Sequence, residues 1–184
     1  MGKFALIDTE TNWADQVMSV GTVIAAEDDF RLVEAKYHVF PRECEIGGMY
    51  SGALYLDTPV SPVLCSREDA MGEIIAWFIS HEVRTIFAYN ASFDKKHLPE
   101  LGQFAWYDIM RLAAYRQQNP RIPADADCFS TGRLKRGYGV EPMLSLLSGN
   151  RRYRETHNAL FDALDELEIM RLMGRPVGEY IPLK

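Results

Sequence analysis

The sequence of 184 residues lacks several features that would place it in other classes of protein. No apolar run approaches the roughly 20 residues that a membrane-spanning helix needs, so no association with a membrane is expected. Its three cysteines, Cys44, Cys65 and Cys128, are isolated and odd in number, and they predict neither a disulfide framework nor a zinc ribbon. A strand-like run begins at Lys3 without a signal-peptide pattern before it. These absences predict a cytoplasmic protein with reduced thiols.

The length and composition are typical of one ordinary globular domain. Hydrophobic residues make up 47% of the chain and charged residues 25%. A chain of this length can bury a core without disulfides or a structural metal. We therefore expect a single domain over residues 1–184, with its core over about 3–174 and a short tail over 175–184. Such a tail leaves little room for a partner-binding module, which argues against a tether to a polymerase.

Positive charge is scarce, which at first disfavours a nucleic-acid partner. The net charge is −6, whereas proteins that bind nucleic acids usually carry a basic patch. Two bound divalent cations would bring this value to about −2, however. The basic residues are also unevenly placed, since residues 131–156 contain Arg133, Lys135, Arg136, Arg151, Arg152 and Arg154 against only Glu141 and Glu155. This segment is either a solvated loop or a surface for a phosphate backbone.

The hydrophobic pattern predicts an α/β fold. Three strands, near residues 4–10, 18–26 and 32–40, follow one another without a helix, which indicates an antiparallel meander. A helix from Ser66 to about His81, a strand at 85–89, a short helix, a strand at 104–107 and further helices come next, the last over about 158–173. This order predicts a mixed five-stranded sheet flanked by helices. Residues 42–65 are predicted to form a long loop, with a short helical turn at most, whose role is open.

Two carboxylates end the first predicted strand. Asp8 and Glu10 are two residues apart, so both side chains project from one face of that strand. Like charges this close are costly unless a cation lies between them. Oxygen ligands without a neighbouring cysteine favour Mg²⁺ or Mn²⁺ over zinc. Solvated acids at a strand end are the alternative.

Two further acids and a histidine follow in the chain. Asp94 comes after the strand at 85–89, where sites of α/β sheets gather. Asp162 lies on a helix with little polar surface, and we expect Asp165, Glu166 and Glu168 to form its solvated face. His157 is about 140° around that helix from Asp162, so it can join the same site only from the loop that enters the helix. A histidine there suits a general base.

Taken together, these segments resemble the DEDDh-type 3′→5′ exonucleases of the RNase H-like superfamily. The resemblance rests on Ile7-Asp-Thr-Glu10, on Asn90-Ala-Ser-Phe-Asp94, and on His157 through Asp162 followed by Ala163. It extends from residue 4 to about 173. The resemblance implies the RNase H-like three-layer fold. It also implies hydrolysis of single-stranded DNA or RNA from the 3′ end to nucleoside 5′-monophosphates.

The resemblance also implies roles for individual residues. Asp8, Glu10 and Asp162 would hold one divalent cation, Mg²⁺ or Mn²⁺, while Asp8 and Asp94 would hold a second. His157 would accept a proton from the attacking water. The substrate-binding residues would be Thr9 and Thr11 at the terminal sugar, Trp13 against the terminal base, and Asn90 and Phe93 at the strand end, with Arg151 and Arg152 at the phosphate backbone.

The sequence departs from the family pattern at several positions, and two other functions stay open. Thr11-Asn12-Trp13 stands where the family often has Thr-Gly-Leu, and Tyr89 stands where a histidine is common. One alternative is a phosphodiesterase or pyrophosphatase for small nucleotides, and the other is a module that binds nucleic-acid ends without cleaving them. The choice between DNA and RNA is not determined by the sequence, because one contact to the 2′-hydroxyl can decide it.

Overall fold

One mixed sheet of six strands organises the molecule. The computed structural model describes residues 2–183. The strands are β1 (Lys3–Thr11), β2 (Val17–Ala26), β3 (Leu32–Val39), β4 (Val63–Leu64), β5 (Thr85–Ala88) and β6 (Ala105–Asp108), in the spatial order β4-β3-β2-β1-β5-β6. β1, β2 and β3 form the predicted antiparallel meander, while β5 is parallel to β1 and β6 is parallel to β5. The sixth strand, absent from the prediction, is the edge strand β4, which pairs with β3 through only two residue pairs.

Six helices accompany the sheet, and their ends have local causes. They are α1 (Pro41–Cys44), α2 (Arg67–Ser80), α3 (Ser92–His97), α4 (Met110–Ala113), α5 (Val140–Ser148) and α6 (Ala159–Met173). The Ser66 side chain accepts a hydrogen bond from the Asp69 amide and so caps α2, which begins where the sequence predicted a helix start. Gly149 and Gly174 end α5 and α6 in the left-handed conformation. Among these described residues, no helix combines the length and the apolar character needed to cross a membrane.

Two apolar layers cover the faces of the sheet. Side chains alternate along β1, so Phe4 and Leu6 pack on one face together with α5 and α6. Ala5 and Ile7 point to the other face, where α2 packs. β2 is buried along its whole length, because it lies inside the sheet and is covered on both faces. The strands at the centre of the sheet are therefore fixed by packing on both sides.

Segment 42–65 is more ordered than the predicted loop. Besides β4, it contains most of α1 and a 3-10 turn at Ser51–Ala53. The hydroxyl of the buried Tyr37 donates a hydrogen bond to the Leu54 carbonyl, 2.8 Å away, and Leu54 is itself buried. The segment is thus attached to β3, which explains why its backbone is fixed without long elements of its own.

A glycine on β2 sets how closely α6 approaches the sheet. Gly21 pairs with Asp8 of β1, and the first turn of α6 lies directly over it. A methyl group on Gly21 would lie 2.0 Å from the carbonyl oxygen of Ala159 and 2.3 Å from the Leu160 nitrogen. Backbone atoms of a buried helix cannot move aside cheaply, so only glycine allows this packing distance.

We expect Gly21→Ala to destabilise the protein by about 3 kcal/mol or more, the upper part of the range for overpacking a core. In thermal unfolding this corresponds to a fall in Tm of roughly 6–12 °C for a chain of this size. The matched control is Gly72→Ala, an exposed position inside α2 where an added methyl group meets nothing within 4 Å. This control should gain about 0.5–1 kcal/mol from helix propensity. Equal Tm values for the two variants would contradict the close approach of α6.

Candidate functional site

The first two acidic side chains extend the β1 face that packs against α6. Asp8 and Glu10 lie on the same face as Phe4 and Leu6, beyond the end of the apolar cluster. Glu10 is 8% exposed and Asp8 is half-buried. The strand runs to Thr11, so both carboxylates are on regular β structure and their directions are fixed by the pleat.

The start of α6 brings a histidine and a third carboxylate to this strand. Asn158 caps the helix through its side-chain oxygen, and Asp162 follows in the first turn, where it is 4% exposed. His157 lies in the loop that enters α6, as the predicted helix boundary required, and its φ is 55°. Glu10, His157 and Asp162 each offer a ligand atom, and these three atoms lie within 4.8 Å of one another. Residues about 150 positions apart in the chain thus share one site.

The fourth carboxylate reaches the site from α3. β5 runs parallel to β1, so the two strands end at the same edge of the sheet and the chain beyond β5 enters α3 there. Asp94 in the first turn of α3 is 2% exposed. The Thr9 hydroxyl donates a hydrogen bond of 2.8 Å to Asp94 Oδ1. Thr9, predicted to bind the terminal sugar, therefore also orients this carboxylate.

All four carboxylates bind protons more tightly than usual. Burial, followed by repulsion from Glu155, raises the pKa of Glu10 to about 8 and that of Asp162 to about 9. Burial raises the pKa of Asp94 to about 7 against the effect of its hydrogen bond from Thr9. The pKa of Asp8 is raised well above its ordinary value by burial and by repulsion from Asp94 and Glu166. A cation among them would stabilise the ionised forms of these acids.

The donor set fits hard divalent cations. Carboxylate oxygens with one imidazole suit Mg²⁺ or Mn²⁺, and the three free cysteines lie elsewhere in the fold. Asp162 Oδ1 is buried, and it finds no hydrogen-bond partner among the residues that the structure describes. A buried carboxylate oxygen without a partner is energetically costly, and a metal ion would supply the missing contact.

A fifth acid at the site, which is buried, corrects one expectation from the sequence. Glu166, expected on the solvated face of α6, is 1% exposed. Its Oε1 accepts a hydrogen bond of 2.8 Å from the Tyr89 amide. Burial and repulsion from Asp94 raise its pKa well above the ordinary value. The available signal was the spacing, because Glu166 is four residues after Asp162 and therefore on the same side of the helix.

A cleft of about 330 Å³ opens beside the carboxylates. It is lined by Thr9, Glu10, Thr11, Asn12, Trp13, Met49, Tyr50 and Phe93. Trp13 is 68% exposed, Met49 67% and Phe93 38%. Exposed apolar side chains around a polar floor suit a ligand with a flat ring and a charged group. Four of the predicted substrate-binding residues, Thr9, Thr11, Trp13 and Phe93, thus lie together.

The other predicted substrate-binding residues lie outside the lining of this cleft. Asn90 forms a left-handed turn with φ 62°, and its amide donates a hydrogen bond of 3.0 Å to Asp108 Oδ1. Its contribution within the described structure is to set the path from β5 into α3. Arg151 and Arg152 are exposed in the turn between α5 and α6. That turn leads directly into the loop of His157.

Sequence reasoning missed Met49 and Tyr50, which segment 42–65 contributes to the cleft. The Tyr50 ring stacks on the His157 ring, with centroids 3.9 Å apart and planes inclined by 14°. No local spacing signal pointed to this contact, because the segment has neither a regular period nor a motif. The only hint was its length, since loops this long are usually functional.

Comparisons with known proteins find similar solved structures but no similar sequences. The sequence matches no protein-family model and no curated protein. The fold is similar to the nuclease domain of 3′hExo, a DEDDh family member solved with rAMP bound, with a TM-score of 0.66 at 13% identity over 99% of this chain and 96% of that one. It is also similar to Escherichia coli exonuclease I in complex with an oligonucleotide, with a TM-score of 0.60 at 12% identity over 94% of this chain.

A third similar structure is a 3′-exonuclease that recognises the 3′ end of the histone mRNA stem-loop, with a TM-score of 0.63 at 11% identity over 99% of this chain and 70% of that one. Our chain spans about two fifths of the exonuclease I chain, since the match covers 40% of its length. The chain therefore shares the fold of these exonucleases, one of which is a DEDDh family member.

Proposed function

We propose that this protein is a 3′→5′ exonuclease that hydrolyses single-stranded nucleic acid to nucleoside 5′-monophosphates. One observation carries the proposal. Glu10, His157 and Asp162 converge within 4.8 Å, at the sheet edge that also bears Asp8 and Asp94. This arrangement combines carboxylates for divalent cations with a histidine beside them. The family resemblance of the motifs and the shared fold support the same reading.

The carboxylates would divide between two cations of Mg²⁺ or Mn²⁺. Asp8, Glu10 and Asp162 would hold one, while Asp8 and Asp94 would hold the other. When bound, such a pair stabilises the charge on the attacking and the leaving oxygens of a phosphodiester. His157 would accept the proton of the attacking water, because it lies beside Glu10 and Asp162 without being buried. Thr9 keeps Asp94 in place for this arrangement.

The cleft would receive the terminal nucleotide. Its volume of about 330 Å³ lies near the lower limit for small-molecule pockets, which suits one nucleotide rather than several. Trp13 and Phe93 offer aromatic faces on which a base can stack. Backbone groups from Thr9 to Thr11 would contact the terminal sugar, and Arg151 and Arg152 would attract the phosphates behind it. The partner is therefore the 3′ end of single-stranded DNA or RNA.

The direct test is degradation of a 5′-labelled single-stranded DNA and the matching RNA with Mg²⁺, with Mn²⁺ or with EDTA. We expect a metal-dependent ladder that shortens from the 3′ end, because the proposed contacts of Thr9 to Thr11 are with the sugar of the 3′-terminal nucleotide. Asp162→Asn should abolish the ladder, since it removes a metal-binding charge from a buried position. The matched control is Asp125→Asn, an exposed acid outside the site that should leave the rate unchanged.

Two further measurements test the alternatives, an enzyme of small nucleotides and an end-binding module. Rapid hydrolysis of a nucleotide p-nitrophenyl ester without cleavage of oligonucleotides would favour an enzyme of small nucleotides, a function that the one-nucleotide cleft also permits. Binding of oligonucleotides that persists in EDTA, with no product at all, would favour an end-binding module. Either result would contradict the proposed exonuclease.

A second prediction separates a base from a metal ligand at His157. His157→Ala should lower kcat by on the order of 10²–10⁴, the usual contribution of general acid–base catalysis. The affinity for Mn²⁺, measured by calorimetry, should change little, because the carboxylates supply the charge. A large loss of Mn²⁺ affinity in this variant would show that the imidazole is itself a ligand, as its position beside Glu10 and Asp162 also permits.

A third prediction concerns stability and pH in the absence of metal. The pKa values of Asp94, Glu10 and Asp162, about 7, 8 and 9, exceed those of unfolded carboxyl groups near 4. Between about pH 4 and pH 9 the folded state therefore binds more protons than the unfolded state. The free energy of unfolding falls as pH rises from about 4 to about 9. Thermal unfolding in EDTA should show this fall, and 10 mM Mg²⁺ should reduce it. An equal slope with and without Mg²⁺ would argue against a cation at these carboxylates.

A further inference from the structure

We propose that Tyr50 is a positioning residue that orients the general base His157, and that residues 47–54 hold Tyr50 in place against it. This inference rests on the proposed function, because it assigns a role relative to that reaction. It concerns a segment for which neither the sequence nor the metal chemistry gave a purpose. Tyr50 contacts His157, and the segment that carries Tyr50 is attached to the rest of the fold at each end.

The contact is a close parallel stack. The ring centroids of Tyr50 and His157 are 3.9 Å apart and the planes differ by 14°. The backbone of His157 has φ 55°, a left-handed conformation that is uncommon for residues other than glycine. A half-buried side chain at the end of a loop has several rotamers available. Stacking on an aromatic face restricts the imidazole to one plane, beside Glu10 and Asp162.

The first end of the segment is attached to the end of β1. The Trp13 amide donates a hydrogen bond of 3.0 Å to the Gly47 carbonyl. A methyl group on Gly48 would lie 2.6 Å from the Thr11 carbonyl oxygen, so the chain passes directly against the strand. The Gly48 amide donates a hydrogen bond of 2.6 Å to the Ser51 hydroxyl and closes the turn that carries Tyr50. Tyr50 is therefore positioned relative to Glu10 by the strand itself.

The second end of the segment is attached to the start of α6. Asn158, fully buried, donates hydrogen bonds from Nδ2 to the Ala53 carbonyl at 2.7 Å and to the Tyr37 hydroxyl at 2.9 Å. Its Oδ1 accepts a hydrogen bond of 3.1 Å from the Leu160 amide. One side chain thus joins β3, the segment and the helix, at the residue next to His157. The backbone of His157 and the ring stacked on it are held by the same segment.

Tyr50 also lines the cleft for the terminal nucleotide. A nucleotide there would contact the aromatic ring whose face supports His157. Tyr50 would therefore orient the base toward the attacking water while the nucleotide occupies the cleft. A purely structural residue would not connect these two features.

The test compares Tyr50→Ala, which removes the ring, with Tyr50→Phe, which keeps the stacking face. We expect Tyr50→Ala to lower kcat for oligonucleotide hydrolysis by tenfold or more, with a smaller change in KM, and Tyr50→Phe to retain most of the wild-type kcat. Met49→Ala is the matched control, since Met49 lines the same cleft and adjoins Tyr50 in the chain. This control should act mainly on KM. An equal loss of kcat in Tyr50→Phe and Tyr50→Ala would contradict a role for the ring face.

A double-mutant cycle shows whether Tyr50 acts through His157. In the His157→Ala background, Tyr50→Ala should have no further effect on kcat, because nothing remains to be positioned. The full loss of kcat repeated in that background would overturn the proposal. It would show that Tyr50 acts on the substrate alone.

A spectroscopic measurement keeps this inference separate from the proposed function. In proton NMR, the His157 Hε1 resonance, assigned by its loss in His157→Gln, should be shifted upfield by the stacked ring. The shift should vanish in Tyr50→Ala and persist in Tyr50→Phe. An unchanged resonance in Tyr50→Ala would overturn the stacking, whatever the activity. If the wild-type protein produces no metal-dependent ladder, the proposed function is contradicted. The NMR measurement still tests the stacking of Tyr50 on His157 in that case.

Discussion

The site depends on one costly arrangement, the burial of several like-charged carboxylates at the junction of β1, α3 and α6. Each acid has a raised pKa chiefly because it is buried, and neighbouring acids raise the pKa of Asp8, Glu10 and Asp162 further. The rest of the structure makes this arrangement possible. β1 is covered on both faces, so its carboxylates cannot turn away. Gly21, opposite Asp8, lets the backbone of α6 come close enough to bring Asp162 to Glu10. Divalent cations bound at this junction would offset the repulsion between the carboxylates.

The residues around the carboxylates orient the site through hydrogen bonds and do not themselves supply charge to the cations. Thr9 donates a hydrogen bond to Asp94, and Glu166 accepts one from the Tyr89 amide. Asn158 joins α6 to β3 and to the segment before β4. Each of these contacts joins elements distant in the chain. The site is therefore rigid where the cations would bind. The exposed apolar residues of the site, Trp13, Met49 and Phe93, line the cleft where a nucleotide would enter.

Much of this could be read from the sequence, for identifiable physical reasons. The apolar start of β1 and the sequences of α2 and α6 carry local signals, and each of these elements lies close to where the sequence predicted it. The rest depended on tertiary contacts. β4 is two residues long and exists only because β3 offers an edge. Glu166 resembles a surface residue in sequence, and its burial follows from a tertiary contact, the hydrogen bond that it accepts from the Tyr89 amide just beyond β5. The stacking of Tyr50 on His157 joins residues more than 100 positions apart, and no local pattern encodes it.

The proposed function requires that these carboxylates hold two divalent cations in contact with a terminal nucleotide. The most direct measurement is the anomalous scattering of Mn²⁺ in crystals grown with a nucleoside 5′-monophosphate. The proposed function predicts two peaks roughly 4 Å apart, the spacing of two-metal sites, with Asp8 in contact with both and the phosphate between them. Crystals that show the nucleotide outside the cleft, or Mn²⁺ away from Asp8, Glu10 and Asp162, would contradict it.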